Sequence, residues 1–437
     1  LNGAAPARVL GFLDAVAVVV GAIVGVGIFL SPGNIAARVP TTEGILGVWA
    51  AGAVVAALGA LTYGELACAL PVNGGQYVFL KEALGPLPAF LFGWAYFAVV
   101  SPGAIAVVAL TAADHLAVAA GVSAGGALLP LAIVATLATA NVIGVRWGAG
   151  VQKGAVALKL LALVALIGLG FAFRGERPPD PPSAGTGLLD FGGALVFALF
   201  AYGGWQCATF LGGEVRDPER NLPRAILLGV AICAAVYLLA NAAYLRLLSP
   251  AQIAASRTPA ADAARVALGT AVERTVAAAI AVSAAGIVNS MLLTNSRITY
   301  AMAVAGGLPG FFGRIGRRTG TPIAAILVEA ALAAGYLLAV GRNATERLLN
   351  GVTFPDWLSF GGVGVAAVLL RLRRPELRRP YRVPLFVPIL FTLAAVAASL
   401  SAFRNNPVDT GIVLGILAVG GAGFEIARAR GRQARFQ

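Results

Sequence analysis

Apolar runs close to the length of about 20 residues that crosses a hydrocarbon core recur from one end of the chain to the other, separated by short polar punctuation. Hydropathy and turn signals place spans at 11–36, 44–70, 83–113, 126–145, 152–173 and 190–214, and again at 223–248, 269–304, 322–341, 353–371, 384–403 and 408–428. No interval between them can house a soluble domain. The pattern therefore predicts a single all-α integral membrane domain of about twelve helices. The first run has no cleavage-site pattern and reads as a span, not a signal peptide.

Composition agrees. The 437 residues are 59% hydrophobic and 12% charged, whereas soluble domains average just under half apolar and roughly a quarter charged. A net charge of +13 raises the question of an anionic partner, and the location of the 32 Lys and Arg answers it. When alternate loops are assigned to opposite sides, these cations favour the side holding both termini by roughly two to one, which makes that side cytoplasmic. The densest groups are Arg371, Arg373, Arg374, Arg378, Arg379 and Arg382 between the tenth and eleventh spans, and Arg428, Arg430, Arg432 and Arg435 near the end. They read as topology determinants beside anionic lipid. Without interleaved aromatics or a soluble domain they do not read as a nucleic-acid surface.

Cys68, Cys207 and Cys233 fall inside apolar spans with no metal or redox spacing. His115, the single histidine, follows Asp114 at the outer end of the third span and reads as an interfacial residue. The sequence calls for no metal and no cofactor.

Glycine interrupts two strong helical runs, although each Gly in a helix interior costs about 1 kcal/mol relative to Ala. The first span contains Gly21-Ala22-Ile23-Val24-Gly25-Val26-Gly27-Ile28-Phe29, and the sixth contains Phe200-Ala201-Tyr202-Gly203-Gly204-Trp205. Breaks at corresponding positions point to an inverted repeat of five helices plus five, with a binding site between the breaks. An unwound stretch frees N–H groups where one half-helix starts and C=O groups where another ends. In lipid such groups persist only where they line a cavity or bind something, and a zwitterion satisfies both sets. Close packing through small residues is the competing explanation for any one of these glycines.

Polar residues inside spans narrow the chemistry further. Lys159 lies roughly 10 Å into the fifth span at 1.5 Å per residue, where a bare charge costs roughly 2.5–3.5 kcal/mol. It calls for a partner or a functional role, with snorkelling to the interface as the alternative. Glu65 in the second span, Glu329 in the ninth, and Arg297 near Asn289 and Thr294 in the eighth are less telling, because each can reach an interface or a neighbouring polar group.

The interrupted spans also carry a family likeness. Gly25-Val26-Gly27-Ile28-Phe29 resembles the first-helix signature of the amino acid-polyamine-organocation superfamily. Phe200-Ala201-Tyr202-Gly203-Gly204-Trp205, followed by Glu214 and by Asp217-Pro218-Glu219-Arg220-Asn221-Leu222-Pro223-Arg224, resembles the sixth-helix region of its L-type amino acid transporter branch. Leu61-Thr62-Tyr63-Gly64-Glu65-Leu66, Gly74-Gly75-Gln76-Tyr77, Lys159-Leu160-Leu161, Thr321-Pro322 and Arg373-Arg374-Pro375-Glu376-Leu377 keep the family's order across nearly the whole chain. The likeness is to a prokaryotic homologue of that branch.

The resemblance implies the leucine-transporter fold, with helices 1–5 at 11–173 and 6–10 at 190–371 as inverted repeats and helices 11–12 at 384–428 added. It implies that the N–H groups of Gly25, Val26 and Gly27 meet a substrate carboxylate, and that the carbonyls of Ile23, Phe200 and Gly203 meet its ammonium. Phe200 would be an aromatic gate, Trp357 would bound the pocket, and Lys159 would replace the sodium ion of sodium-coupled relatives. Val26 stands where the family often has Ser, Cys207 where large-substrate members carry a bulkier aromatic, and Asp356 where many have a neutral residue. The loop 114–125 lacks the Cys that animal members join to a glycoprotein heavy chain, so no such disulfide-linked partner is expected.

The function implied is sodium-independent transport of small neutral L-amino acids across the inner (cytoplasmic) membrane, by exchange or linked to protons. Cationic amino acids or polyamines are the alternative substrates. A membrane-embedded enzyme would show a cluster of His, Asp, Cys or Ser near one interface. A channel or transporter-derived sensor would show polar pore rings or a signalling domain. Neither pattern is present.

Overall fold

The protein is described here by a computed structural model covering residues 8–72, 74–123, 126–143, 149–173, 187–210, 212–304, 307–316, 319, 321–340 and 345–433. In chain order the helices are α1 (Phe12–Ile23), α2 (Gly27–Arg38), α3 (Thr42–Ala69), α4 (Gly75–Leu84), α5 (Pro86–Ala95), α6 (Ser101–Ala120), α7 (Leu128–Ile143), α8 (Ala149–Ala172) and α9 (Leu188–Tyr202). They continue as α10 (Cys207–Phe210), α11 (Pro218–Leu247), α12 (Pro250–Ala255), α13 (Pro259–Leu268), α14 (Thr270–Val304), α15 (Ile323–Val340), α16 (Thr345–Arg373), α17 (Phe386–Asn405) and α18 (Pro407–Gln433).

Among the described residues, seven helices are long and apolar enough to cross a membrane, and the pair Phe12–Ile23 and Gly27–Arg38, bent by 43°, adds an eighth. Shorter apolar helices at Leu128–Ile143, Leu160–Ala172, Leu188–Tyr202 and Ile323–Ala339 occupy the other expected positions. The protein is thus a multi-pass, all-helical membrane protein, as the hydrophobic pattern predicts.

Three spans differ from expectation. The tenth begins at Thr345 rather than at 353. The third starts later and runs further than 83–113. Gly85, at φ +95°, separates α4 from α5, Pro86 opens α5, and the helix continues to Ala120, where Gly121 at φ +70° ends it. A π-helical turn at Tyr96–Val100 joins α5 to α6. The sixth span does not continue as helix to 214, because α10 is one turn long and residues 212–214 are turns. An isolated parallel bridge between Leu10 and Val215 then ties the start of the first span to the end of the sixth. The Leu10 N–H donates to the Glu214 carbonyl at 3.0 Å, and the Arg216 N–H to the Leu10 carbonyl at 2.8 Å.

In the packing, α1 lies on α11, α2 on α9, and α3 on both α9 and α11, while α6, α7, α14 and α15 touch one another in a second group. At the flanks α8 meets α11 and α14, and α16 meets α3 and α6. These neighbours pair off when the first five spans are exchanged for the second five. The contact of α1 with α11 then answers that of α9 with α3, α8 with α14 answers α16 with α6, and α7 with α14 answers α15 with α6.

Two surface assignments change. His115 is buried, its Nδ1 2.9 Å from the Thr111 carbonyl and its ring edge-on to Phe29, so it is not interfacial. The reason is the added length of α6, which carries residue 115 inside the helix rather than to its end. The arginine cluster is not all at the lipid surface either. Arg371 and Arg379 turn inward onto Glu65, and the Arg373 guanidinium donates to the Ala83 carbonyl at 3.2 Å.

Candidate functional site at the two helix breaks

The helix breaks exist because the backbone there cannot hold a regular ladder. At Val24 the first span leaves helical geometry, with ψ at 78°, and the Gly25 N–H folds back onto the Ile23 carbonyl at 2.7 Å. Val26 caps α2 without any side-chain cap, so the first N–H groups of α2 lack an intrahelical partner. In the sixth span the Gly203 N–H closes on the Phe200 carbonyl at 3.2 Å, and Gly204 takes φ +123°, where a side chain is strained.

The glycines divide into two kinds. A Cβ on Gly27 would lie 2.5 Å from the Ala201 Cα, and one on Gly204 2.7 Å from the Ala22 carbonyl carbon. These two let the breaks touch backbone to backbone, which is the packing role. A Cβ on Gly25 would meet nothing nearer than the Ile23 oxygen at 3.8 Å, so that glycine borders open space.

That space is a cavity of about 440 Å³. Ile23, Gly25, Val26 and Gly27 line it from the first break, Phe200, Gly203 and Cys207 from the second, and Trp357 from α16. Eight of the nine site residues expected from the sequence thus share one wall-to-wall space. The ninth, Lys159, belongs to α8, but its side chain lies outside the described residues. Two of the carbonyls expected to receive an ammonium already accept hydrogen bonds: Ile23 from the Gly25 N–H and from the Tyr237 hydroxyl at 2.7 Å, Phe200 from the Gly203 N–H.

Several residues were not singled out in the sequence. The Tyr237 hydroxyl bridges both breaks, donating to Ile23 and facing the Ala201 carbonyl at 3.2 Å. Tyr96, Ser101 and Asn295 form a polar wall from the third and eighth spans. A Ser-Pro-Gly run inside the third span was the available signal. Asp356, which the sequence did single out, lines the cavity as well, the one charged side chain among the described lining residues. Towards the Glu65 end, Trp205, Trp357, Phe360 and Phe391 pack at centroid separations of 5.1–6.5 Å, and Tyr63 meets Phe360 edge-on.

Sequence comparison is decisive about ancestry. The family model described as amino acid permease matches residues 10–422. The chain belongs to the amino acid permease family. This permease is 32% identical over 428 residues to the Asc-type amino acid transporter 1 of Mus musculus, covering 94% of this chain and 79% of that one. It is 31% identical over 410 residues to the mouse b(0,+)-type amino acid transporter 1, covering 91% and 83%. To the mouse large neutral amino acids transporter small subunit 2 it is 32% identical over 439 residues, covering 96% and 81%. The permease is therefore a transporter of amino acids in the amino acid-polyamine-organocation superfamily, not an enzyme, with the leucine-transporter fold and its broken first and sixth helices.

Proposed function

We propose that this permease carries small neutral L-amino acids by alternating access across the cytoplasmic (inner) membrane, with both termini cytoplasmic and without sodium. The carrying observation is that both helix breaks open onto one cavity. The start of α2 offers Val26 and Gly27 N–H groups and a positive helix end to a carboxylate, and the end of α9 offers carbonyls to an ammonium. Phe200 at the second break and Trp357 on α16 bound the substrate, and Cys207 admits a side chain without an aromatic in its way. Lys159 takes the place of a coupling ion. Helices at 11–173 and 190–371 rock as inverted repeats about this centre. The heavy-chain partner is not required, since residues 114–125 include no Cys to bind it.

A second reading rests on Asp356, whose carboxylate faces a cavity with no cationic side chain among its described lining residues. That arrangement favours cationic amino acids. Competition in proteoliposomes separates the two: displacement of labelled alanine by serine and threonine supports the neutral assignment, and displacement by arginine alone overturns it. The glycine pair tests the site itself. Gly25→Val folds and loses substrate binding, whereas Gly27→Val loses the folded protein because its side chain collides with Ala201. Unchanged binding by a folded Gly25→Val protein would move the site elsewhere. Lys159→Ala that transports normally, with or without sodium, would remove the role given to Lys159.

A further inference from the structure

Glu329 in α15 is fully buried and does not line the cavity. Its Oε1 accepts from the Ser101 Oγ at 3.2 Å, and no hydrogen bond of normal geometry reaches its Oε2, although the Thr299 hydroxyl also interacts with the carboxyl. Ser101 is itself on the cavity wall. There its Oγ also accepts from the Asn295 Nδ2 at 2.7 Å, and the Asn295 Oδ1 accepts from the Tyr96 hydroxyl at 3.2 Å. One hydroxyl therefore separates a buried carboxyl from the cavity.

Among the described residues the surroundings offer no countercharge. Ser101 and Tyr96 face Glu329 from the third span and Asn295 and Thr299 from α14, while Arg297 of α14 is exposed. Neither α7 nor the 310–313 turn carries a titratable side chain. From α16 comes Asp356, a second carboxyl, which acts on the same Tyr96 hydroxyl as Glu329 does. Tyr336, on α15 itself, gives its hydroxyl hydrogen to the Ala98 carbonyl at 2.9 Å. A carboxylate so placed takes up a proton in preference to holding a bare charge in the membrane. The π-helical turn that ends beside Ser101 fits this, since such turns gather at functional sites.

We propose that Glu329 is a proton-binding site, linked through Ser101 to the occupancy of the cavity, so that protons move with the substrate. The claim rests on the carrier reading above. In uptake, a hydronium ion in the cavity gives a proton to the Ser101 Oγ as the hydroxyl's own hydrogen passes to Glu329, so that the hydronium becomes water, the serine hydroxyl is restored and the carboxylate becomes a carboxylic acid. The two states present different walls. With Glu329 ionised, the Ser101 hydrogen points away from the cavity. With Glu329 protonated, the acid donates to the Ser101 Oγ, and the hydroxyl hydrogen turns towards the cavity as a donor. A substrate that accepts this bond binds more tightly when the proton is present, and by reciprocity raises the proton's affinity.

Two measurements on the purified full chain test this. Infrared difference spectra between acidic and neutral pH read the site without transport: a protonated-carboxyl band lost in Glu329→Gln and kept in Asp356→Asn is expected. A spectrum unchanged by Glu329→Gln overturns the proposal. In liposomes with a trapped pH dye, L-alanine uptake by the wild type carries protons, while Glu329→Gln still exchanges L-alanine and loses the proton signal and the stimulation by a proton gradient. Alanine uptake with no proton signal overturns the linkage and leaves the carrier reading standing. Failure of every amino acid to be taken up overturns the carrier reading, and the infrared result still decides Glu329.

Discussion

Two carboxyl groups lie deep inside this protein at equal burial, and their surroundings treat them in opposite ways. Glu65, in the second span, receives the Arg371 Nε at 2.7 Å and the Arg371 Nη2 on its other oxygen, the Val383 N–H at 2.9 Å, and Arg379 at 3.9 Å. Glu329, in the ninth, receives one serine hydroxyl. Complete pairing makes the first a fixed joint holding α3, α16 and the 374–385 connection together. The second has an oxygen without a hydrogen bond of normal geometry and a single hydroxyl between it and the cavity, the arrangement on which the proton-binding proposal rests. Satisfied polar groups build structure, and incompletely satisfied ones mark where chemistry or movement occurs.

The largest expected effect is from cutting the joint. Glu65→Ala or Arg371→Ala leaves a buried ion unpaired and costs about 3–5 kcal/mol, seen as a large fall in melting temperature in detergent. A loss no greater than that of an exposed pair would show that the joint is solvated. Removing both charges together, in Glu65→Leu with Arg371→Met, restores the larger part of that loss, because neither ion is then stranded. Arg379 keeps its bonds to the Leu370 and Leu377 carbonyls in that variant. No recovery in the thermal melt would mean that the pair holds shape beyond its charge.

Glu329→Gln behaves differently, shifting stability by less than about 1 kcal/mol because Ser101 can still donate to the amide oxygen. The same melt that collapses for Glu65 should barely move here, and a collapse would make Glu329 a structural residue. The smallest effect is alkaline. Tyr381, in the connection beside Glu65, has its hydroxyl pushed above the ordinary value of 10.0 by burial, with Cys68 and Glu65 adding to the shift. Its stabilising effect is full below the unfolded value and is lost as pH rises through the higher folded value. Tyr381→Phe should flatten that alkaline decline in stability, and an unaltered slope would place its origin elsewhere.

The same contrast marks the limits of the sequence. In sequence the two acids look alike: each interrupts an apolar span, and neither has a cation within a helical turn. The arginines that hold Glu65 come from a cluster whose composition pointed to lipid headgroups. The break glycines show a similar division. Their positions in the first and sixth spans were legible, but which of them touch the opposite break and which border the cavity depended on the approach of Ala201 and Ala22. Tyr237 was silent, since a tyrosine in an apolar span is unremarkable until both breaks are brought to its hydroxyl.

The sequence by itself determined the helical membrane architecture, the two interrupted spans and the family, because hydrophobic length, glycine placement and motif order are properties of the chain taken along its length. It also named eight of the residues that came to line the cavity. Only the tertiary structure decided which polar side chains are neutralised and which are not. That depends on partners far away in the chain, such as Arg371, 306 residues from Glu65, or Ser101, 228 residues from Glu329. Electrostatic pairing acts through space over a few ångströms, and distance along the chain does not encode it.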